Sequence, residues 1–472
     1  MMNPKTLTRR GFLSLSATAS AGLALAACGP SAPAPAAAPA TEAAKPAETA
    51  AAPAAPAPAE AVTLQYWFSW GALFDETLKA AIATDEFKQM LPGVTVETKP
   101  SSNDEAFLAA VAAGTPPDGI SNVSYPELIA RGVATPVTDW INTSTVIKKD
   151  DIFESTWDSV TSEGQIYAVP GIEGFLRWGF CYNEDMVSQG GLDPAKPPLT
   201  WDEAFEFHKQ LSKFDAAGNV TVVGFDPLDA MGSSIGAGDP FFLPVSFGFE
   251  YYDVNGKKYN LDNPEFIDGL TTIKKFYDLL GAEKMASFRQ SYGTWTGPGT
   301  GICAATQVAQ INGYWTPGEL NVCAPEKKYA YSWPMVPASR KDKKIQCTGG
   351  HYVLIPKGAA HAETAFHFGE FLNTDTACDV IFNSIGWLPS RKSYMARADI
   401  SKYRGLDWFV KSATESNELH AVVNDPLTAV TSKKFGEATQ AVIYGSKTPE
   451  QAAKDMQDEL TKELEAFLAS KQ

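Results

Sequence analysis

The chain has 472 residues, more than one compact domain usually holds, and a formal charge of −16 from 39 Lys and Arg against 55 Asp and Glu. That balance excludes a nucleic-acid surface, which needs basic patches, and it opposes adsorption to an anionic membrane. It leaves neutral ligands open.

The first 28 residues have three parts: a basic start ending in Thr8-Arg9-Arg10-Gly11, an apolar run from Leu13 to Ala27, and a small-residue end, Leu25-Ala26-Ala27-Cys28-Gly29. These are the parts of an export signal, and the run is too short and too rich in Ser, Thr and Ala to be a good bilayer span. The paired arginines resemble the twin-arginine export signal. The Leu-Ala-Ala-Cys ending resembles the lipobox of bacterial lipoproteins, in which the cysteine, here Cys28, is lipidated and becomes the new N-terminus. Residues 1–28 therefore read as a twin-arginine lipoprotein signal. Loss of residues 1–27 removes Lys5, Arg9 and Arg10 and no acid, taking the charge to −19. Residues 29–61 are almost entirely Ala and Pro, with no aromatic or branched apolar residue. Such a segment cannot bury a core, so a disordered, extended tether is expected. No later apolar run is long enough to span a bilayer, so the membrane contact would be the lipid alone.

From Val62 the pattern changes. Val62-Thr-Leu-Gln-Tyr-Trp-Phe alternates as a strand, Leu73 to Met90 reads as one helix, and Pro92-Gly93 breaks the chain before a strand at Val94-Thr-Val-Glu-Thr. Ala106 to Ala113 is helical and stops at Gly114, and Thr115-Pro-Pro-Asp-Gly-Ile turns into a short strand. This alternation marks a parallel α/β sheet. Further strands follow at Gln165–Pro170 and Arg177–Tyr182. Thr200 and Glu203 form a capping box at a helix start, Asn263-Pro264 opens another helix, and Thr448-Pro449-Glu450-Gln451 is again a capping box, at the start of the last helix, whose apolar stripe is Met456, Leu460, Leu464 and Phe467. The glycine-rich 232–238 lacks the Gly-Lys-Ser/Thr ending of a phosphate loop and reads as a loop on a cleft rim.

Setting Cys28 aside leaves Cys181, Cys303, Cys323, Cys347 and Cys378, an odd number. Two of Cys303, Cys323 and Cys347 can bridge in an oxidising compartment, whereas Cys181 and Cys378 sit in apolar contexts as buried small hydrophobes. Export after folding would make a disulfide optional. Cys303, Cys323, Cys347 and His351 lack the close ligand pairs of a zinc site, and His361 and His367, six apart, do not share a helical face. No metal and no cofactor are expected.

The order of motifs from Val62 onward resembles the sugar-binding branch of the extracellular solute-binding proteins of bacterial ABC importers. The motifs are Pro92-Gly93-Val94, Ala113-Gly114-Thr-Pro-Pro-Asp118, Gly132-Val-Ala-Thr-Pro-Val, Gly164-Gln-Ile-Tyr-Ala-Val-Pro170, Tyr182-Asn183-Glu184-Asp185, Pro198-Leu-Thr-Trp-Asp-Glu203, Asn312-Gly313-Tyr-Trp315, Gly349-Gly350 and Gly386-Trp-Leu-Pro-Ser-Arg391. Two departures are Ile311-Asn312, where the family more often shows Ala-Met, and the cysteine content. The resemblance implies an α/β, two-lobed periplasmic-binding-protein-like fold with discontinuous lobes and a ligand cleft between them. Lobe one would take 62–172 plus 305–348, lobe two 173–304 plus 349–472, with hinge strands near 172–182 and 350–355. It implies extracytoplasmic binding of a sugar or oligosaccharide and its delivery to ABC permease subunits by lobe closure, with the protein a lipid-anchored monomer and not an enzyme.

All 11 tryptophans lie beyond residue 61. An aromatic face packs on the C–H face of a sugar while hydroxyls bond at its edge, and open α/β sheets bind ligands at strand ends. Trp70 follows the first strand, Trp295 lies in Gly293-Thr-Trp-Thr-Gly-Pro-Gly, Trp315 follows Asn312-Gly313 and Trp387 follows Gly386, so these four are the candidate ligand platforms. Trp67, Trp140, Trp157, Trp201 and Trp408 fit a core role, and Trp178, at the edge of the hinge strand, is left open. Asp75, Asn122, Glu173, Asp239 and Arg391, in loops or at strand ends, are the candidate polar partners. Gly349-Gly350 would permit close backbone approach at the cleft. A cationic ligand would suit the acidic balance, and an exported glycoside-acting enzyme would need two facing carboxylates.

Overall fold

A computed structural model of the chain describes residues 61–174, 176–232 and 242–471. The export signal with Cys28, the tether, Asp239 and most of the 232–238 loop lie outside the described residues. Ten strands build the two main sheets: β1 (Val62–Phe68), β2 (Val94–Lys99), β3 (Gly119–Ser121), β4 (Ala168–Glu173), β5 (Gly179–Asn183), β6 (Lys213–Phe214), β7 (Val220–Phe225), β8 (Gln307–Asn312), β9 (Tyr329–Ser332) and β10 (His351–Leu354). The helices used below are α1 (Ala72–Ile82), α2 (Asp85–Met90), α3 (Trp201–Leu211), α4 (Pro264–Leu280), α5 (Ala282–Tyr292), α6 (Thr316–Cys323), α7 (Ala362–Leu372), α8 (Asp375–Ile385), α9 (Thr428–Ile443) and α10 (Pro449–Ala469).

The first sheet runs β2-β1-β3-β10-β4 and the second β9-β5-β8-β7-β6. β1 forms as its alternation predicts: Leu64, Tyr66 and Phe68 are fully buried while the residues between them are not. It pairs in parallel with β2 and β3. The sheets are mixed rather than wholly parallel, because β10 is antiparallel to β3 and β4, and β5 is antiparallel to β8 and β9. These two reversals involve strands beside a crossing between the sheets, whereas β6 and β7 are antiparallel as a local hairpin.

Those crossings correct the expected lobe membership. β8 and β9, within 305–348, pair in the sheet of β5 and belong to lobe two; β10, within 349–472, pairs with β3 and β4 and belongs to lobe one. α8 packs on α1 and α7 on β4, so they follow β10 into lobe one, whereas α4, α9 and α10 pack together in lobe two. The motif order could not reveal this, because strand partners are chosen by long-range pairing. After α8 the chain returns to lobe two, so it crosses three times; the first crossing, at 174–178, lies within 172–182, and the second, at 348–350, just precedes the strand expected near 350–355. These two pass close together at two glycines: a Cβ on Gly174 would sit 3.4 Å from Gly350 Cα and 2.0 Å from Ser390 Oγ.

The single helix expected from Leu73 to Met90 is two, α1 and α2. Thr84 stops one and caps the next, its Oγ1 accepting from the Phe87 amide at 3.4 Å. The capping box expected at Thr448–Gln451 forms only by half: Thr448 Oγ1 accepts from the Gln451 amide at 3.2 Å, while the Gln451 side chain donates to Asp455 Oδ1. At α3 the Thr200 hydroxyl accepts from the Glu203 amide, and the Glu203 carboxylate accepts from the Thr200 amide at 3.1 Å. Trp201 beneath this cap is buried and donates from Nε1 to Ser246 Oγ at 2.8 Å. Thr200→Ala should therefore lower stability by about 1 kcal/mol in urea unfolding without changing ligand affinity.

Candidate functional site

A cavity of about 630 Å³ is lined by the ends of β4 and β10 of the first sheet, by Arg177 of the first crossing, and by the segments on either side of β8 of the second sheet. Six of the nine candidate residues line it: Trp70, Asn122, Glu173, Trp295, Trp315 and Trp387. Two do not. Asp75 turns to β2 and accepts from Thr98 Oγ1 at 2.6 Å and Lys79 Nζ at 2.5 Å, because its place on α1 faces the neighbouring strand. Arg391 is a structural clamp, donating to Asp151 Oδ2, Asp375 Oδ1 and the Asn373 carbonyl at 3.2, 2.8 and 2.6 Å. Asp239 is outside the described residues.

The cavity has two aromatic walls. On one, Trp70 lies 5.2 Å from Trp387 and 4.6 Å from Phe74, and Phe74 stacks on Trp387 at 5.1 Å. On the other, Trp295 and Trp315 are 6.4 Å apart, with the Arg177 guanidinium 5.2 Å from the Trp315 ring. Trp178, left open by the sequence, is fully buried against Phe242 and is core. Trp67, Trp140, Trp157 and Trp408 pack at the edges of the core and do not line the cavity.

Between the walls sits a buried polar cluster. Arg177 donates to Glu173 Oε1 at 2.7 Å, the Tyr314 hydroxyl donates to Glu173 Oε2 at 2.8 Å, and His351 Nε2 lies 3.1 Å from Oε1. Burial, reinforced by Arg177, holds the imidazole well below its ordinary pKa, so it is neutral. A carboxylate only accepts, so the proton sits on Nε2 and leaves Nδ1 as an acceptor. Among the described residues Nδ1 has no hydrogen-bond partner.

Glu319 is the second carboxyl of the cavity. It accepts from Trp387 Nε1 at 3.1 Å and from the Thr296 hydroxyl. It reaches Trp387 because α6 lies on the end of α8, where a Cβ on Gly318 would come within 2.1 Å of the Ile385 carbonyl. Burial, with a smaller contribution from Glu173, pushes its pKa from the ordinary 4.5 up to about 7 despite the bonds from Thr296 and Trp387.

Arg177, Thr296, Glu319 and His351 were missed by sequence reading. Thr296 adjoins Trp295, and Arg177 and His351 lie in or beside the two predicted hinge strands, but nothing local marks Glu319. The predicted close approach at Gly349-Gly350 is present: a Cβ on Gly350 would lie 3.1 Å from the Tyr352 hydroxyl and 3.3 Å from the Glu173 carbonyl.

Residues 83–407 match the model of the family described as bacterial extracellular solute-binding protein, and the chain belongs to that family. None of the curated proteins compared matches it. Among solved structures it is similar to CpMnBP1 with mannotriose bound, at 23% identity over 84% of this chain and 99% of that one, with a TM-score of 0.74. It is also similar to the maltose/maltodextrin-binding domain MalE from Bdellovibrio bacteriovorus bound to maltotriose, at 17% identity over 86% and 100%, TM-score 0.68. A third is the ABC substrate-binding protein Lmo0181 from Listeria monocytogenes in complex with cycloalternan, at 18% over 86% and 99%, TM-score 0.67. These likenesses give the chain the two-lobed fold of periplasmic sugar-binding proteins.

The raised pKa of Glu319 has a signed consequence. Between about pH 4.5 and 7 the folded state holds a proton that the unfolded state releases, so this contribution to stability is complete below that window and is lost as pH rises through it. The slope is at most about 1.4 kcal/mol per pH unit. Asp229, pushed up to about 6 by burial and by Asp226, acts with the same sign. Glu319→Gln should flatten the decline in Tm measured from pH 5 to 8, leaving a residual slope from Asp229.

Proposed function

We propose that the cavity binds a short oligosaccharide outside the cytoplasm and that the protein delivers it to an ABC importer. The observation that carries this reading is the pairing of two tryptophan walls with a buried polar cluster between them, in a cavity of about 630 Å³. Apolar ring faces suit the C–H faces of sugars, and His351 Nδ1 and the Asn122 side chain supply hydrogen-bonding edges. The mannotriose, maltotriose and cycloalternan bound by the similar structures support this ligand class. Contacts from both lobes would form together only when the lobes close, which shifts the population toward the closed form.

The charge pattern favours a neutral ligand over a cationic one. Of the two lining carboxyls, Glu173 is neutralised by Arg177, and Glu319 holds its proton through the lower part of the neutral range. A glycoside-acting enzyme would need both carboxyls for its chemistry, whereas each is already engaged by side chains of the protein. The leader supports a lipid anchor at Cys28, with the Ala/Pro segment as spacer.

Titration of the full chain with mannotriose and maltotriose should change tryptophan fluorescence and raise Tm without turnover. Trp70→Ala and Trp315→Ala should each weaken binding about tenfold or more. Silence toward a broad sugar panel, or release of cleaved sugar, would overturn the reading. Affinity that fell steeply with ionic strength would favour a charged solute instead. Cys28→Ser should move the protein from the membrane to the soluble fraction with ligand affinity unchanged.

A further inference from the structure

Trp295 sits on the segment 293–306 between α5 and β8, and its backbone is unusual. Trp295 has φ +66°, a left-handed conformation that a bulky residue rarely adopts, and Gly293, Gly299 and Ala305 are also at positive φ. Strain of this kind persists only where the surroundings over-determine it. From beneath, Asp229 Oδ1 accepts from the Trp295 amide at 3.0 Å, and Gln310 Nε2 donates to the Trp295 carbonyl at 3.3 Å. From the side, the segment is tied twice to α6. The Thr296 hydroxyl donates to Glu319, and Cys303 is disulfide-bonded to Cys323 one turn beyond Glu319. Cys303 Sγ also accepts from the Gly297 amide at 3.4 Å. Cys181, Cys347 and Cys378 are buried and reduced, so this bridge is the one formed among the described cysteines. α6 begins directly after Trp315 and carries Glu319, so the bridge joins two elements that together present Trp295, Thr296, Trp315 and Glu319 to the cavity.

We propose that the Cys303–Cys323 disulfide is a positioning element of this cavity: it pre-organises the lobe-two wall by fixing the Trp295 loop to α6, so the oxidised protein binds ligand more tightly than the reduced one. This rests on the reading of the cavity as a sugar site. Preorganisation raises affinity by removing the cost of ordering the loop when ligand arrives. Cys323 is half-buried, within reach of a small reductant. Dithiothreitol breaks the Sγ–Sγ bond, supplying two electrons and two protons to give two thiols while it closes to its own cyclic disulfide.

The test compares the full chain with the Cys303→Ser/Cys323→Ser variant, each with and without Trp295→Ala. Mannotriose and maltotriose are the probes, and amide exchange is followed over 293–304 and over Gln307–Asn312. The variant should bind about tenfold more weakly and exchange faster over 293–304 alone, and Trp295→Ala should cost less in it than in the oxidised chain. A bridge that only stabilised the fold would lower Tm but leave the Trp295→Ala cost the same in both backgrounds. That result, or unchanged affinity, would overturn the proposal. If neither trisaccharide binds the oxidised chain, the sugar reading fails and exchange decides the positioning role: unchanged exchange over 293–304 on reduction overturns it, and acceleration confined there supports it. Should the Ser variant not fold, reduction and reoxidation of the wild-type chain make the same comparison.

Discussion

The structure turns on one buried ion pair. Glu173 ends the last strand of the first sheet, and Arg177 lies four residues on, in the segment crossing to the second. Both side chains are almost completely buried, at 3% and 1% exposure. A carboxylate in that position is tolerated only if its oxygens are engaged, and removal of one partner from such a pair typically costs about 3–5 kcal/mol. Glu173 meets that condition by drawing in groups from separate parts of the chain: Tyr314, just after β8 of the second sheet, and His351, the first residue of β10 in the first. One carboxylate thus sets where the crossing, the end of β8 and the start of β10 must lie relative to one another. The close approach of Gly174 to Gly350 is the backbone counterpart, since side chains there would hold the segments apart.

The aromatic walls follow from that placement. Tyr314 is held by Glu173 and by the Leu388 carbonyl, and the residues adjoining Tyr314 and Leu388 in sequence, Trp315 and Trp387, stand in the two walls of the cavity. Gly318 and Gly386 let α6 settle onto the end of α8, which brings Glu319 to the Trp387 indole. The cavity gains polar atoms without gaining a strong field, because its ionised carboxylate is matched by a guanidinium and its second carboxyl resists ionisation. A chain with many more acids than bases therefore presents a nearly neutral interior to a ligand.

The sequence was legible where the signal is local. The alternation of β1, the Thr200–Glu203 box and the tryptophans next to glycine turns depend on a few adjacent residues, and all four chosen tryptophans line the cavity. It was illegible where the outcome depends on distant partners. Strands β8 and β10 carry no mark of which sheet they join, and their lobes were expected the other way round. Asp75 and Arg391 carry the right chemistry in the right kind of loop or helix end, yet Lys79, Thr98, Asp151 and Asp375 engage them first. Glu319 was invisible for the converse reason: an acid in the first turn of a short helix is ordinary, and only the burial imposed by Trp387 and Thr296 makes it unusual.

The buried amides of β8 and one disulfide converge on the Trp295 segment. Asn312 donates to Gln310 Oε1 at 2.6 Å. Gln310 and Gln307 in turn donate to Asp229 at 3.1 and 2.7 Å, and Asp229 accepts from the Trp295 amide. A run of buried amides in β8 is costly unless every polar group is engaged, and engaged networks rigidify what they touch. Here the network ends on a tryptophan whose backbone conformation costs on the order of 1–3 kcal/mol. The Cys303–Cys323 bridge ties down the same loop from the other side. Two unrelated chemistries, an amide relay and a disulfide, hold one strained aromatic residue in place at the cavity wall.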